Sequence, residues 1–191
     1  MEKLFLLVII GVLALVLAGC KNKSNNDKTR ALAALVVENL ISMDRQDMYM
    51  HVSDEYTWYE TCITLKNFMD GEDASNEIES VTNIFQVVKE HGESADVTVW
   101  VYEHTPGNTS ATEYSGIWVG DHSLNTEEIK LTFEDAYNRL QEADCIKPHS
   151  RQCVLRNKIG PASETSNTTQ YIFGNTKNQV YVDAVTGDVK N

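Results

Sequence analysis

Val97-Thr98-Val99-Trp100-Val101-Tyr102-Glu103-His104 is the stretch that decides how this chain folds. Val97, Val99 and Val101 share one parity, while Thr98, Trp100 and Tyr102 share the other. A period of two marks a strand with two unlike faces. Downstream, Pro106-Gly107-Asn108 breaks the strand. The chain then returns from Tyr114 to Val119, with Tyr114, Gly116 and Trp118 on one parity and Ile117 and Val119 on the other. Upstream, His91-Gly92-Glu93-Ser94 reads as a turn. Before it, Val81 to Lys89 is rich in β-formers, although its pattern also fits a helix. Earlier still, Tyr59, Thr61, Ile63 and Leu65 fall on one side of a strand, with Trp58 and Cys62 on the other. Asp70 to Asn76 is a polar turn region.

A helix precedes this meander. Leu32, Leu35, Val36, Asn39, Leu40 and Met43 recur at helical spacing. Asp44 to Glu55 has no clear period and reads as loop with at most a short helix. The same order of elements then comes again. Thr132 and Asp135 stand at the N-cap and N3 positions of a second helix. Its apolar stripe is Phe133, Ala136, Tyr137, Leu140 and Ala143. Strands follow at Val154 to Ile159, Gln170 to Phe173 and Gln179 to Ala184, the last two joined by a turn through Gly174-Asn175. The expected fold is therefore α+β: two consecutive helix-plus-antiparallel-meander units, at residues 29–121 and 127–191.

The chain has 191 residues, with 16 Lys and Arg against 28 Asp and Glu, a formal charge of −12. So acidic a protein has no electrostatic reason to bind nucleic acid or an anionic bilayer surface. The acidity reads first as a solvated surface, and it would also suit a basic partner.

The beginning of the chain gives an address. Met1-Glu2-Lys3 leads into an apolar run from Leu4 to Val16, which ends in Leu17-Ala18-Gly19-Cys20. A basic start, a short apolar stretch and small residues before a cut are the parts of an export signal. The tetrapeptide resembles the lipobox of bacterial lipoproteins, in which the cysteine is acylated and becomes the new N-terminus. Residues 1–19 are then a signal peptide. The run is too short to cross a hydrocarbon core of roughly 20 residues' length. Residues 20–28 are a polar tether, and the membrane is a partner through lipid on Cys20. Lys21 is not the Asp that resembles an inner-membrane retention signal, so the outer membrane is favoured.

Three cysteines remain for the fold: Cys62, Cys145 and Cys153. An oxidising compartment favours a disulfide between Cys145 and Cys153, which enclose a short loop. With His149 between them, the same residues could be read as metal ligands, but they are too few to close a zinc shell. Asp70, Glu72 and Asp73 lack the alternation of a calcium loop. No metal and no cofactor are expected.

The tail Val180-Tyr181-Val182-Asp183-Ala184-Val185-Thr186-Gly187-Asp188-Val189 resembles the closing strand and Asp-Ala-x-Thr-Gly turn of the PepSY family. Ile129-Lys130-Leu131-Thr132-Phe133-Glu134-Asp135-Ala136 is similar to its opening. The resemblance covers about the last third of the chain. The Cys145–Cys153 loop and the Ser163 to Thr169 stretch depart from the pattern. The resemblance implies a small α+β module outside the cell membrane that binds, often to a hydrolase, and it carries over no catalytic residue.

No Gly-rich phosphate loop, His-Glu-x-x-His or Gly-x-Ser-x-Gly motif is present, and the five histidines are scattered. The chain is not expected to be an enzyme. Trp100 and Tyr102 share a parity, as do Tyr114 and Trp118. If the aliphatic parity faces the helix, these four form an exposed aromatic contact surface. The other reading is cross-strand pairing or burial. The expected function is a lipid-anchored envelope protein that binds a protein or peptide, inhibition of a hydrolase being one form of this. The alternatives are a structural lipoprotein without a discrete ligand, and an N-terminal unit that holds a small ligand or an active site.

Overall fold

The computed structural model describes residues 35–91, 94–118, 122–158 and 168–191. Helix α1 (Val37–Asp47) runs into a single π-helical turn, Met48–Val52. Strands β1 (Thr57–Leu65), β2 (Ile78–His91), β3 (Ser94–Thr105) and β4 (Asn108–Ser115) follow as an antiparallel meander. After helix α2 (Phe133–Glu142) come β5 (Gln152–Asn157), β6 (Thr169–Asn175), β7 (Asn178–Asp183) and the short β8 (Val189–Lys190). The strand order is β4-β3-β2-β1-β5-β6-β7-β8 in one sheet.

This order corrects the expected fold. The α+β arrangement of two consecutive units, the second PepSY-like, is replaced by one eight-stranded antiparallel sheet with, among the described residues, two short α-helices. The joint is the β1–β5 pair, where Ile63 stands opposite Cys153 and Thr61 opposite Leu155. In two separate units β1 and β5 would each be an edge strand carrying unpaired backbone groups. Ile63, Cys153 and Leu155 are also fully buried, so separation would expose the centre of the core.

Both helices pack on one face of this sheet. Their apolar stripes meet Val81, Phe85, Tyr102, Leu155, Tyr171, Phe173, Val180 and Val182 in a single core. Phe133 on α2 lies 6.4 Å from Tyr171 and 6.3 Å from Phe173, ring centre to ring centre. Of the region from Asp44 to Glu55, read as loop with at most a short helix, the part to Val52 is the end of α1 and the π turn. Met48, wholly buried, draws that turn into the core. Val81 to Lys89 is strand, because β1 and β3 pair with it on both sides. The strand expected from Tyr114 to Val119 stops at Ser115. Gly116 there takes a φ of +136°, and the chain leaves the ladder.

One irregularity sets the faces. Trp58 pairs with Phe85 and Glu60 with Ile84, so Tyr59 is an extra residue in β1. A bulge of this kind shifts parity by one. Trp58 therefore shares the helix-covered face with Thr61, Ile63 and Leu65, and Cys62 is left on the opposite face.

Local signals hold the second half as its sequence implies. The Thr132 hydroxyl accepts from the Asp135 N–H at 3.1 Å, and the Asp135 carboxylate accepts from the Thr132 N–H at 3.2 Å. Glu38 on α1 accepts from the Phe133 N–H at 2.7 Å, so the start of α2 is tied to α1. In the closing turn the Asp183 carboxylate accepts from the N–H groups of Val185 and Thr186, and Gly187 takes a φ of +79°.

Candidate functional site

The two sheet faces differ in what they offer. On the helix-covered face a chain of polar groups is buried between α1 and the sheet. His104 Nε2 donates to the Asp44 carboxylate at 2.8 Å, with both side chains almost wholly buried. Asn83 Nδ2 donates to the same carboxylate at 2.7 Å. Thr61 donates to the Asn83 carbonyl oxygen, and Trp58 Nε1 donates to Thr61. Burial raises the Asp44 carboxyl above the ordinary aspartate range, against the hydrogen bonds from Asn83 and His104. The Tyr102 hydroxyl donates to Asp47 at 2.7 Å and holds that carboxyl below its ordinary value. Every donor in this chain has an acceptor, which is the condition for keeping polar groups in a core. Its effect is to fix α1 on β2 and β3.

A cleft of about 350 Å³ also opens on this face, between α1 and residues 126–132. Its walls are apolar (Ile41, Trp58, Leu155, Tyr171). The charged groups at its rim are already committed: Arg45 donates to Thr126 at 2.9 Å, and Glu38 caps α2.

The opposite face carries no helix among the described residues. Over its first half, residues 116–118 fold back, and the Trp118 N–H donates to Gln86 at 2.9 Å. Ile84 and Val99 are buried on this side. Over β5 to β8 the face forms a trough of about 550 Å³. Its floor is Arg156, Gln170, Ile172, Gln179 and Tyr181, half-buried side chains of the parity opposite to the core. Tyr181 donates to Gln179 at 2.6 Å. Arg156 pairs with Glu60 at 3.2 Å, and the Cys62 thiol donates to the same carboxylate. The trough thus offers amide groups, an aliphatic side chain and a phenol ring, with the Arg156 guanidinium held at its floor by Glu60. Those are the means of recognising a polypeptide surface.

The residues singled out from sequence fall in different places. Trp100 and Tyr102 point to the helix-covered face, not outward: Tyr102 is 3% exposed, and Trp100 packs against the core with its Nε1 buried. Tyr114 is on the other face, opposite Val99, and is 54% exposed. Trp118 lies beyond β4 in the crossing segment. The four aromatics do not form one surface, because the aliphatic parity of β3 faces away from the helices and the aromatic parity towards them. The hydroxyl of Tyr102 explains this orientation, since it reaches a carboxylate that α1 supplies.

Cys62, Cys145 and Cys153 are all free thiols, so the expected Cys145–Cys153 bridge is not made in this structure. Cys153 is a buried core residue of β5. Burial raises its thiol pKa, and burial with Glu60 beside it raises that of Cys62, so both stay protonated and unreactive. Cys145 is half-buried, with the Lys147 ammonium 3.7 Å from its sulfur. His149 stacks on Phe68 at 4.4 Å and meets Asp70 at 3.0 Å. Among the described residues, no group of three His, Cys, Asp or Glu side chains could hold a metal ion. Cys20 lies outside the described residues.

Sequence reading missed the trough, although a signal was there. Cys153, Leu155, Tyr171, Phe173, Val180 and Val182 keep one parity, and their neighbours are mostly polar. The Asp44–His104 pair had no such signal, since nothing local links a helix residue to a strand so distant in the chain. Among the described residues, no helix is long and apolar enough to cross a membrane. No family model, no curated protein and no solved structure matches this chain.

Proposed function

We propose that this is a lipid-anchored cell-envelope protein that binds a protein or peptide partner on the open face of its sheet. The observation that carries the reading is the division of the sheet: both helices cover one face, and the other holds the half-buried, chemically mixed trough over β5 to β8. Floors of this composition make good contact surfaces, because a rigid aromatic and an arginine lose little entropy on binding. The PepSY-like ending supports binding in place of catalysis, with a hydrolase as one class of partner. Anchoring rests on Leu17-Ala18-Gly19-Cys20 and its polar tether. Acyl chains contribute about 0.8 kcal/mol per buried methylene, so more than one chain holds a folded domain durably on a bilayer.

Two measurements test the two parts separately. A photo-crosslinking residue at Gln170, on the trough floor, is expected to capture a discrete partner in intact cells. The same probe at Glu134, on α2, is not. Ile172→Glu is expected to abolish the Gln170 adduct while leaving the melting temperature unchanged. Equal capture from both positions would favour a structural lipoprotein without a discrete ligand. For the anchor, Cys20→Ala is expected to lose the acyl mass increment and leave the membrane fraction. A variant that partitions like the parent would overturn lipidation at this residue.

A further inference from the structure

Strand β4 ends the sheet, and apart from one charged residue, Glu113, it has none of the devices that keep a sheet edge from pairing. All eight of its residues are exposed. It contains no Pro, Lys or Arg, and its register with β3 runs unbroken from Thr105–Asn108 to Thr98–Ser115. Folded proteins blunt their edges with lysine, proline, bulges or very short strands. The other edge of this sheet obeys that rule, since β8 has two residues.

The hydrogen-bonding phase of the edge follows from the turn. A two-residue hairpin loop, here Pro106-Gly107, closes on a hydrogen-bonded pair. The Gly116 N–H donates to Val97 at the far end of the same series. Asn108, Ser110, Thr112 and Tyr114 therefore spend their backbone groups on β3. Thr109, Ala111, Glu113 and Ser115 direct theirs outward. Thr109 is held in place by its hydroxyl, 3.0 Å from His104 Nδ1, and His104 is fixed by Asp44. That contact fixes the edge at its turn end.

We propose that this edge pairs antiparallel with β4 of a second copy of the chain. Phase permits a self-pairing, and the one charge of the strand does not oppose it. The register with Thr112 opposite Thr112 of the second copy sets Thr109 against Ser115 and Ala111 against Glu113. Every outward group from 109 to 115 then finds a partner. Ser110 meets Tyr114, and two threonines meet at the centre, the latter a favourable cross-strand pair. Glu113, the one charged residue of the strand, never faces its own copy. The two-residue β8 at the opposite edge stops propagation, so the assembly closes as a two-fold dimer. A single strand pair buries less than a stand-alone interface needs, so the dimer forms where the chain is concentrated.

Thr112→Cys in the full-length chain, expressed in membranes and mildly oxidised, tests this. At a non-hydrogen-bonded position facing cysteines are about 4.5 Å apart between Cα atoms, within disulfide reach. The expected result is a covalent dimer well above the parent's baseline, with none from Lys177→Cys on the distant β6–β7 turn. Ala111→Pro removes an outward N–H without touching the β3 ladder. Added to Thr112→Cys, it should cut the dimer by about tenfold, or about 1.4 kcal/mol of pairing, with unchanged circular dichroism. A dimer that survives Ala111→Pro, equal yields at 112 and 177, or a Thr112→Cys adduct of another protein would each overturn the proposal.

Discussion

Asp44 is an aspartate whose burial outweighs its partners. With its pKa raised, it stabilises the fold most in acid, while it keeps its proton. That contribution is lost as pH rises from the ordinary aspartate value through the higher folded-state one. Thermal melts of Asp44→Asn and parent from acid to neutral pH should therefore show the parent's margin shrinking as pH rises. Asp47 has the opposite sign, because the Tyr102 hydroxyl lowers its pKa. Its contribution is present at neutral pH and fades as pH falls through the folded-state value, below the ordinary one. The margin of parent over Asp47→Asn should shrink towards acid. Gly174 is a steric case. Its φ is +106°, and an added Cβ would sit 2.1 Å from the Asn178 carbonyl oxygen and 2.8 Å from Pro148. Gly174→Ala should cost about 3 kcal/mol or more in urea denaturation, since neither backbone nor proline can give way. At this scale the sequence showed that Trp100 and Tyr102 share a face. It could not show which way that face points, because the deciding contact is a hydroxyl meeting a helix far away in the chain.

Elements with local causes were legible. The Thr132–Asp135 capping box and the Asp183 turn depend on residues within a few positions of one another. Thr132→Ala should cost about 1 kcal/mol, read from the denaturation midpoint, because it leaves the Asp135 N–H without its acceptor. Elements defined by their neighbours were not legible. Val81 to Lys89 fits helix or strand by composition, and only pairing on both sides makes it β2. The extra Tyr59 that sends Trp58 into the core leaves no mark in the sequence, since a bulge is a property of two strands together. The same holds for α1, whose continuation into a π turn is set by the fit of Met48 into the core.

The whole molecule is organised by a division of faces. Both helices and the buried polar chain belong to one side, and the trough to the other. Proposed binding uses the trough and proposed self-association uses the β4 edge, so the two need not compete. Ile172→Glu should remove the first and spare the second, while Ala111→Pro should do the reverse. Paired crosslinking measurements on both variants would show it. The order of helices and strands along the chain was readable, but the expected division into two helix-and-meander units was not what forms. The fusion of the two halves into one sheet was not readable, because it depends on two strands at unrelated places in the chain.

That fusion also sets the order of folding. The β2–β3, β3–β4 and β6–β7 hairpins close over turns of two or a few residues, whereas Ile63 must find Cys153 nearly half a chain length away. Loop closure over that distance is entropically slow. The hairpins should form first and the β1–β5 seam last. Stopped-flow refolding should then show Ile63→Ala mainly speeding unfolding, as for contacts made after the barrier. Until the seam closes, the folding chain has two extra open edges at its centre. Aggregation through those two edges is then a hazard of the interval before closure.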